Sequence, residues 1–376
     1  MSHFFMETKV KDWGASNRLF ASLNTSWKPQ QLLGLEFEVE GTNLPREEDL
    51  RWYWKVVSDG SLRGESSEYV LRTPNAPEYF EKKSLPYLIR AFNKKKSVLN
   101  FSVRCSTHVH MNAQHLYGYQ VMMLVGLYYA YEEVFKLLLQ EQRHGNLFCV
   151  GSSECKQDLA ERLSRACFSN QGLIDFVNND NNKYSAVNLC TLAKFGSVEF
   201  RGLHGTLNKD EILIWTRLLT ALYEFAADAK PTALSSLLDN VSAKGGDKFL
   251  KDLFVKVPEV YEELVKRAGS EDRIVTLFYQ GVGNIQPLFY LVPWYDIRLD
   301  RAPPVKQRPV RGIQPDNVFY DTAEEADAAY RRLLVERPPT FPLRGAQRAT
   351  QITPLVPPNF TIDDIIQEAT GLEQEH

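Results

Sequence analysis

The stretch Gly34-Leu35-Glu36-Phe37-Glu38-Val39-Glu40-Gly41 alternates strictly, with Leu35, Phe37 and Val39 in one phase and Glu36, Glu38 and Glu40 in the other. Period two is the side-chain repeat of a β-strand, so this segment reads as a strand with one apolar and one acidic face. Its carboxylates would stand in a row about 6.5–7 Å apart. Like charges at that spacing repel, and Glu is depleted from strands. An edge strand with a solvated acidic face could carry them. So could a carboxylate wall that holds divalent cations, and the rest of the chain decides between the two.

Two further segments repeat the pattern. Leu99–Asn112 alternates Phe101, Val103, Cys105, Thr107, Val109 and Met111 with Ser102, Arg104, Ser106, His108, His110 and Asn112. One strand over this whole range would have a polar face bearing a guanidinium, two imidazoles and an amide. Ser197–His204 places Val198 and Phe200 against Glu199 and Arg201, with Gly202 and Gly205 bracketing a turn. Shorter strands, Trp52–Val57 and Glu68–Arg72, flank the turn sequence Ser58-Asp59-Gly60-Ser61, and Thr73-Pro74 stops the second. Glu68, Val70 and Arg72 then share a side.

Helical periodicity separates these strands. Glu81–Lys94 reads as a helix, and Tyr117–Gln142 as one long helix with a core stripe through Val121, Leu124, Val125, Tyr128 and Tyr131. Helical pieces fill 156–177, before a polar loop at 178–182. Asn208, with Glu211 three positions on, fits an N-cap pair opening a helix striped by Ile212, Trp215, Leu218 and Leu222. Beyond 230 the pattern predicts helices over much of 231–268 and short strands at Ile274–Phe278 and Leu288–Val292. Arg301–Gly312 combines four basic residues with three prolines and no acid, which reads as an extended connector. Asp321 and Glu324 fit the start of a helix through Glu336, and the last sixteen residues carry five acids without Lys or Arg. No regular βαβ alternation appears, so the fold class is α+β with an antiparallel sheet. The expected organisation is a leader at 1–29, a catalytic domain at 30–297, and a connector and tail at 298–376 that wrap the core or meet a partner or second copy.

Composition removes several function classes. The 376 residues are 44% hydrophobic and 24% charged, an ordinary globular balance. A formal net charge of −3 offers no global basic field for nucleic acid. The five cysteines are odd in number and lack paired metal spacing, and Met1–Phe20 lacks the apolar core of a signal peptide. Free thiols and a cytoplasmic location are the expectation. The longest apolar run, Val121–Ala130, is half a membrane span, so a membrane protein is not expected.

Taken together, several strands each offer an apolar face to a helical layer and a face of Glu, His or Arg the other way. Such a face is costly unless its charges compensate one another or bind ions. Carboxylates with imidazoles suit Mg²⁺ or Mn²⁺, and neighbouring arginines suit phosphate oxygens. That combination points to phosphoryl transfer. No Gly-x-x-x-x-Gly-Lys-Ser/Thr sequence is present to supply a P-loop.

The motifs Gly-Leu-Glu36-Phe-Glu38, Ser58-Asp59-Gly-Ser61 followed by Glu68, Thr107-His108-Val-His110-Met-Asn112, Tyr184-Ser-Ala-Val-Asn188-Leu and Gly196-Ser-Val-Glu199-Phe-Arg201-Gly occur in that order. With Tyr131-Glu132, Arg143 and Phe148-Cys149, they resemble the amidoligase family of the glutamine synthetase and glutamate–cysteine ligase superfamily. The resemblance covers roughly residues 30–230. It implies a curved antiparallel sheet forming a funnel, with long helices on one face. ATP would enter one end and an acidic substrate the other, with two or three Mg²⁺ (or Mn²⁺) between them. It makes Glu36, Glu38, Glu68, Glu199 and His110 metal ligands. His108, His110, Arg104 and Arg201 become nucleotide contacts, the motif not deciding which histidine meets phosphate. Arg201 is the catalytic arginine, with Asp59 and Lys183 as further catalytic candidates for amine or phosphate. Glu40 extends the Glu-x-Glu pair and is expected to be solvated. The implied chemistry is ATP-dependent amide formation between a carboxylate and an amine of small molecules, peptides or proteins. Three rivals remain: a guanidino-kinase-like phosphotransferase, a metal-dependent hydrolase, and a non-catalytic binding protein on the same fold.

Overall fold

The computed structural model describes residues 9–10, 32–50, 52–153, 183–229 and 245–291, excepting the side chains of 193 and 286–291. Seven strands form one sheet: β1 (Leu33–Thr42), β2 (Trp54–Val57), β3 (Ser66–Leu71), β4 (Val98–Leu99), β5 (Thr107–Asn112), β6 (Val187–Asn188) and β7 (Ser197–Phe200). Their spatial order is β2-β3-β1-β5-β7-β6, every pairing is antiparallel, and β4 adds to the far end of β1. The acidic strand is therefore interior to the sheet rather than at its edge. Gly41 lets β1 change partners from β5 to β4, because a Cβ there would lie 2.2 Å from the Val98 carbonyl oxygen.

Helices cover the apolar face. Leu35, Phe37, Val39, Tyr69, Val109, Met111, Val198 and Phe200 are buried in one core. Helix α1 (Leu85–Lys95) reaches it through Phe92, whose ring lies 5.0 Å from that of Tyr69. Helix α2 (Gly118–Ala130) is apolar almost all round and buried almost all round, the composition of a helix inside a layer. Its Tyr128 packs on Phe200 at 5.1 Å and on Trp215 at 6.4 Å. Trp215 belongs to α4 (Lys209–Asp228), whose N-cap Asn208 accepts the Asp210 N–H at 3.0 Å. Beyond it lie α5 (Gly246–Leu253), α6 (Pro258–Ala268) and α7 (Glu271–Leu291), and α2 contacts both α4 and α7. No described helix is long and apolar enough to cross a membrane.

Several expected boundaries shift. The predicted strand Leu99–Asn112 divides into β4 and β5, because residues 100–105 loop out between them. The predicted helix Tyr117–Gln142 breaks at Tyr131 (φ −104°, ψ 7°), where the hydroxyl donates to the Gly246 carbonyl at 3.0 Å. A short helix α3 (Glu132–Phe135) and 3₁₀ turns follow. The predicted strands at 274–278 and 288–292 are corrected: residues 274–278 and 288–291 belong to α7. Ile274, Leu277, Phe278 and Ile285 all point into the core, and that spacing is helical. The readings for 1–29, for 156–182 and for 298–376 lie outside the described residues, apart from Lys9 and Val10.

Candidate active site

Residues directly opposite one another in antiparallel strands send their side chains to the same face, with Cβ atoms about 4.5–5.5 Å apart. The register thus assembles the site. Glu36 stands opposite His108, Glu38 opposite Glu68, and His110 opposite Glu199, with Asn188 beyond Glu199 on β6. All lie on the face opposite the helical core.

His108 occupies the centre. Its Nδ1 lies 3.3 Å from Glu36 Oε2 and 3.4 Å from Glu199 Oε1, and its Nε2 lies 3.8 Å from Glu38 Oε2. Ser106 bridges from below, with its Oγ 2.6 Å from His108 Nε2 while donating to Glu38 Oε2. Arg201 is the first residue past β7. Its Nη1 donates to Glu199 Oε1 at 2.6 Å and lies 3.5 Å from His108 Nδ1. Asn188 Nδ2 donates to the other oxygen of Glu199 at 2.6 Å. His110 flanks the group, with Nε2 3.3 Å from Glu36 Oε1 and Nδ1 3.1 Å from Ser197 Oγ.

Proton affinities follow from this packing. Burial pushes the Glu36 and Glu199 carboxyls up, but His110 and His108, joined at Glu199 by Arg201, hold both below the usual range, Glu36 well below it. Burial prevails at Glu38, which is raised against the pull of His108, Ser106 and Arg201. Glu68 is pushed up to about 9, first by burial and then by the charges of Glu36, Glu38 and Asp59, and it shares a hydrogen bond with Glu36. Burial opposes charge on His110, yet Glu36 and Glu199 raise it.

The structure therefore brings Glu36, Glu38, Glu68, Glu199, His108, His110 and Arg201 together. Asp59 stands near enough to act on Glu38 and Glu68, its Oδ1 accepting the Ser61 N–H at 2.7 Å. Arg104 does not pair with a described carboxylate. Its Nη1 donates to the Ser61 carbonyl at 3.1 Å and its guanidinium lies 5.2 Å from the Phe148 ring centroid, tying the Asp59 turn to the 146–149 loop. Lys183 places its ammonium 4.9 Å from the Tyr184 ring centroid, and no described contact joins it to the carboxylates. Glu40 is buried rather than solvated, and accepts the Arg63 N–H at 2.8 Å. Ser106 and Ser197 went unassigned in the sequence. Ser106 shares the alternation phase of His108, but that phase alone does not distinguish a hydroxyl bridge from a solvated Ser.

Glu36, His108 and Glu199 each offer a ligand atom, all within 4.8 Å of one another. Two carboxylates and an imidazole at that separation fit around one hard divalent cation such as Mg²⁺ or Mn²⁺. Of the two imidazoles, His108 belongs to this triad, while His110 Nε2 lies 3.3 Å from Glu36 Oε1 at its side.

The sequence model of a family described as "Putative amidoligase enzyme" matches residues 24–223, more than half of the chain. No curated protein gives a match. The matched region contains all seven strands and every residue of the charged cluster. On that coverage, the chain belongs to the amidoligase family.

Proposed function

We propose that the protein is an ATP- and Mg²⁺-dependent ligase that joins a carboxylate to an amine through an acyl phosphate. The observation that carries this reading is the Glu36–His108–Glu199 triad with Arg201 locked against it, on a sheet of the amidoligase family. Bound Mg²⁺ or Mn²⁺, held by Glu36, His108 and Glu199, would neutralise triphosphate charge. In the first step a substrate carboxylate oxygen attacks the γ-phosphorus and the bond to the β–γ bridging oxygen breaks, releasing ADP. In the second, the amine nitrogen attacks the acyl carbon, the bond to phosphate breaks, and the nitrogen gives up a proton. The Arg201 guanidinium lies 14% exposed at the rim of the cluster, where its fork can meet the transferring phosphoryl oxygens. No covalent nucleophile from the chain is required. The same reading takes the sheet as the funnel of glutamine-synthetase-like enzymes, with nucleotide and acid substrate at opposite ends.

The test is product release from the purified protein with ATP, Mg²⁺ and pooled carboxylates and amines. Ligation gives ADP and phosphate together, and only when both substrate classes are present. Turnover without ATP would make the protein a hydrolase, and a stable phosphorylated product without free phosphate would make it a kinase.

A further inference from the structure

β7 ends at Phe200, and its ladder pairings to β5 and β6 end with it. Arg201, the next residue, must nevertheless hold a fixed direction to meet Glu199. Its backbone is tied on both sides: its N–H donates to the Ala186 carbonyl at 2.9 Å, and its carbonyl accepts from Arg143 Nη2 at 2.6 Å. Arg143 is itself only 2% exposed. It sits with Tyr128, Glu132 and Cys149 around a cavity of about 10 Å³, and its Nε and Nη1 have no partner among the described residues. Glu132 lines the same cavity, accepts the Ser152 N–H at 2.7 Å through Oε2, and leaves Oε1 without a described partner. No described carboxylate comes within ion-pair distance of Arg143.

A buried guanidinium with no ion pair among the described residues is an expensive filler, because an apolar side chain of similar length would occupy the space at no desolvation cost. What the guanidinium adds is a charge-assisted bond to the carbonyl of the residue whose side chain locks Glu199. We infer that Arg143 is a positioning residue, fixing the backbone of Arg201 beyond the last rung of the ladder so that the Arg201 guanidinium is aimed at Glu199 and the reacting phosphoryl group.

The turnover arm of the test rests on the ligase reading, and the exchange arm does not. Arg143→Met removes the donor at similar length, and Arg143→Lys keeps one donor. Hydrogen–deuterium exchange is followed for peptides spanning 198–204 against peptides from β1 and β3. We expect exchange at 198–204 to rise at least about tenfold in Arg143→Met with β1 and β3 unchanged, and to be partly restored in Arg143→Lys. In ATP-dependent phosphate release, kcat should fall about tenfold or more in Arg143→Met, with KM for ATP within about threefold. Wild-type exchange at 198–204 in both variants would overturn the proposal, and so would exchange that rises equally over the whole sheet. If Arg143→Met does not fold, Arg143→Lys is judged by the same criteria. If the wild type shows no ATP-dependent turnover, the ligase reading fails and the exchange result alone decides the role of Arg143.

Discussion

Lys at position 201 would carry the same charge as Arg201 but could not bind two oxygens of one phosphoryl group. The fork gives Nη1 to Glu199, and Nε is buried without a partner among the described residues, which leaves the outer edge of the guanidinium at Nη2 to meet a substrate. Arg201→Lys should therefore keep the fold and leave ATP affinity within a few-fold while cutting turnover about 10²-fold, the scale of one lost electrostatic stabiliser. Nucleotide binding measured separately from phosphate release distinguishes this from a binding role. Glu68 gives a second prediction. Its folded pKa of about 9 lies above the ordinary carboxyl value of 4.5, so the folded state holds a proton that the unfolded chain has released. Metal-free stability then declines as pH rises from about 4.5 towards 9. Glu68→Gln should raise the metal-free melting temperature at pH 7.5, and the gain should vanish near pH 4, where Glu68 is protonated in both states. An equal gain at both pH values would show that packing, not charge, is the cause. At this scale the sequence was legible where alternation fixed the face, as for Glu36, Glu199 and His108. It was silent where a role depends on a neighbour brought in by register, as for Ser106 bridging Glu38 and His108.

Among the elements, strands were easier to place than to measure. Alternation in Leu99–Asn112 continues through Ser102, Arg104 and Cys105, yet the chain leaves the sheet there because β1 offers partners only to β4 at one end and β5 at the other. Side-chain period records which way residues would face, not whether a neighbouring strand exists to pair with. The Ile274–Phe278 run fails for the complementary reason, since a short apolar run has no period of its own until its neighbours Ile285 and Gly281 are counted into the helix. The turn into β7 carries an element-scale prediction. Gly196 closes the helical turn Thr191–Phe195 at φ 71°, accepts the Ala113 N–H at 2.8 Å, and would place a Cβ 2.5 Å from the Gln114 side chain. Gly196→Ala should cost about 1–2 kcal/mol, the penalty for a left-handed non-glycine residue, read as a lowered urea midpoint. Unchanged stability would mean that the loop relaxes without strain and that Gly196 does not fix the start of β7.

At the level of the molecule, the cluster is a concentration of repulsion that the sheet sustains. Ions that bind the native state and not the unfolded chain raise stability by mass action, so Mg²⁺ or Mn²⁺ should raise the melting temperature in proportion to the logarithm of its concentration above Kd. Glu36→Gln combined with Glu38→Gln should abolish that response. A response intact in the double variant would place the ligands elsewhere. The antiparallel sheet, the helices on one face and the family were readable because five motifs in order constrain the whole region at once. Single motifs constrain less: among the described residues Lys183 meets the Tyr184 ring and Arg104 the Ser61 carbonyl.

The ligand triad draws one residue from each of three neighbouring strands, β1, β5 and β7, and its members are distant in the chain: 72 positions separate Glu36 from His108, and 91 separate His108 from Glu199. Loops of that length close late, so an ion has nothing to grip until the central strands have docked. Divalent cations should consequently act as a brake and not as a nucleus. In stopped-flow experiments Mg²⁺ should slow unfolding while leaving the refolding rate constant unchanged, because it stabilises contacts absent from the transition state. Faster refolding with Mg²⁺ would mean that β1, β5 and β7 are already aligned at the rate-limiting step.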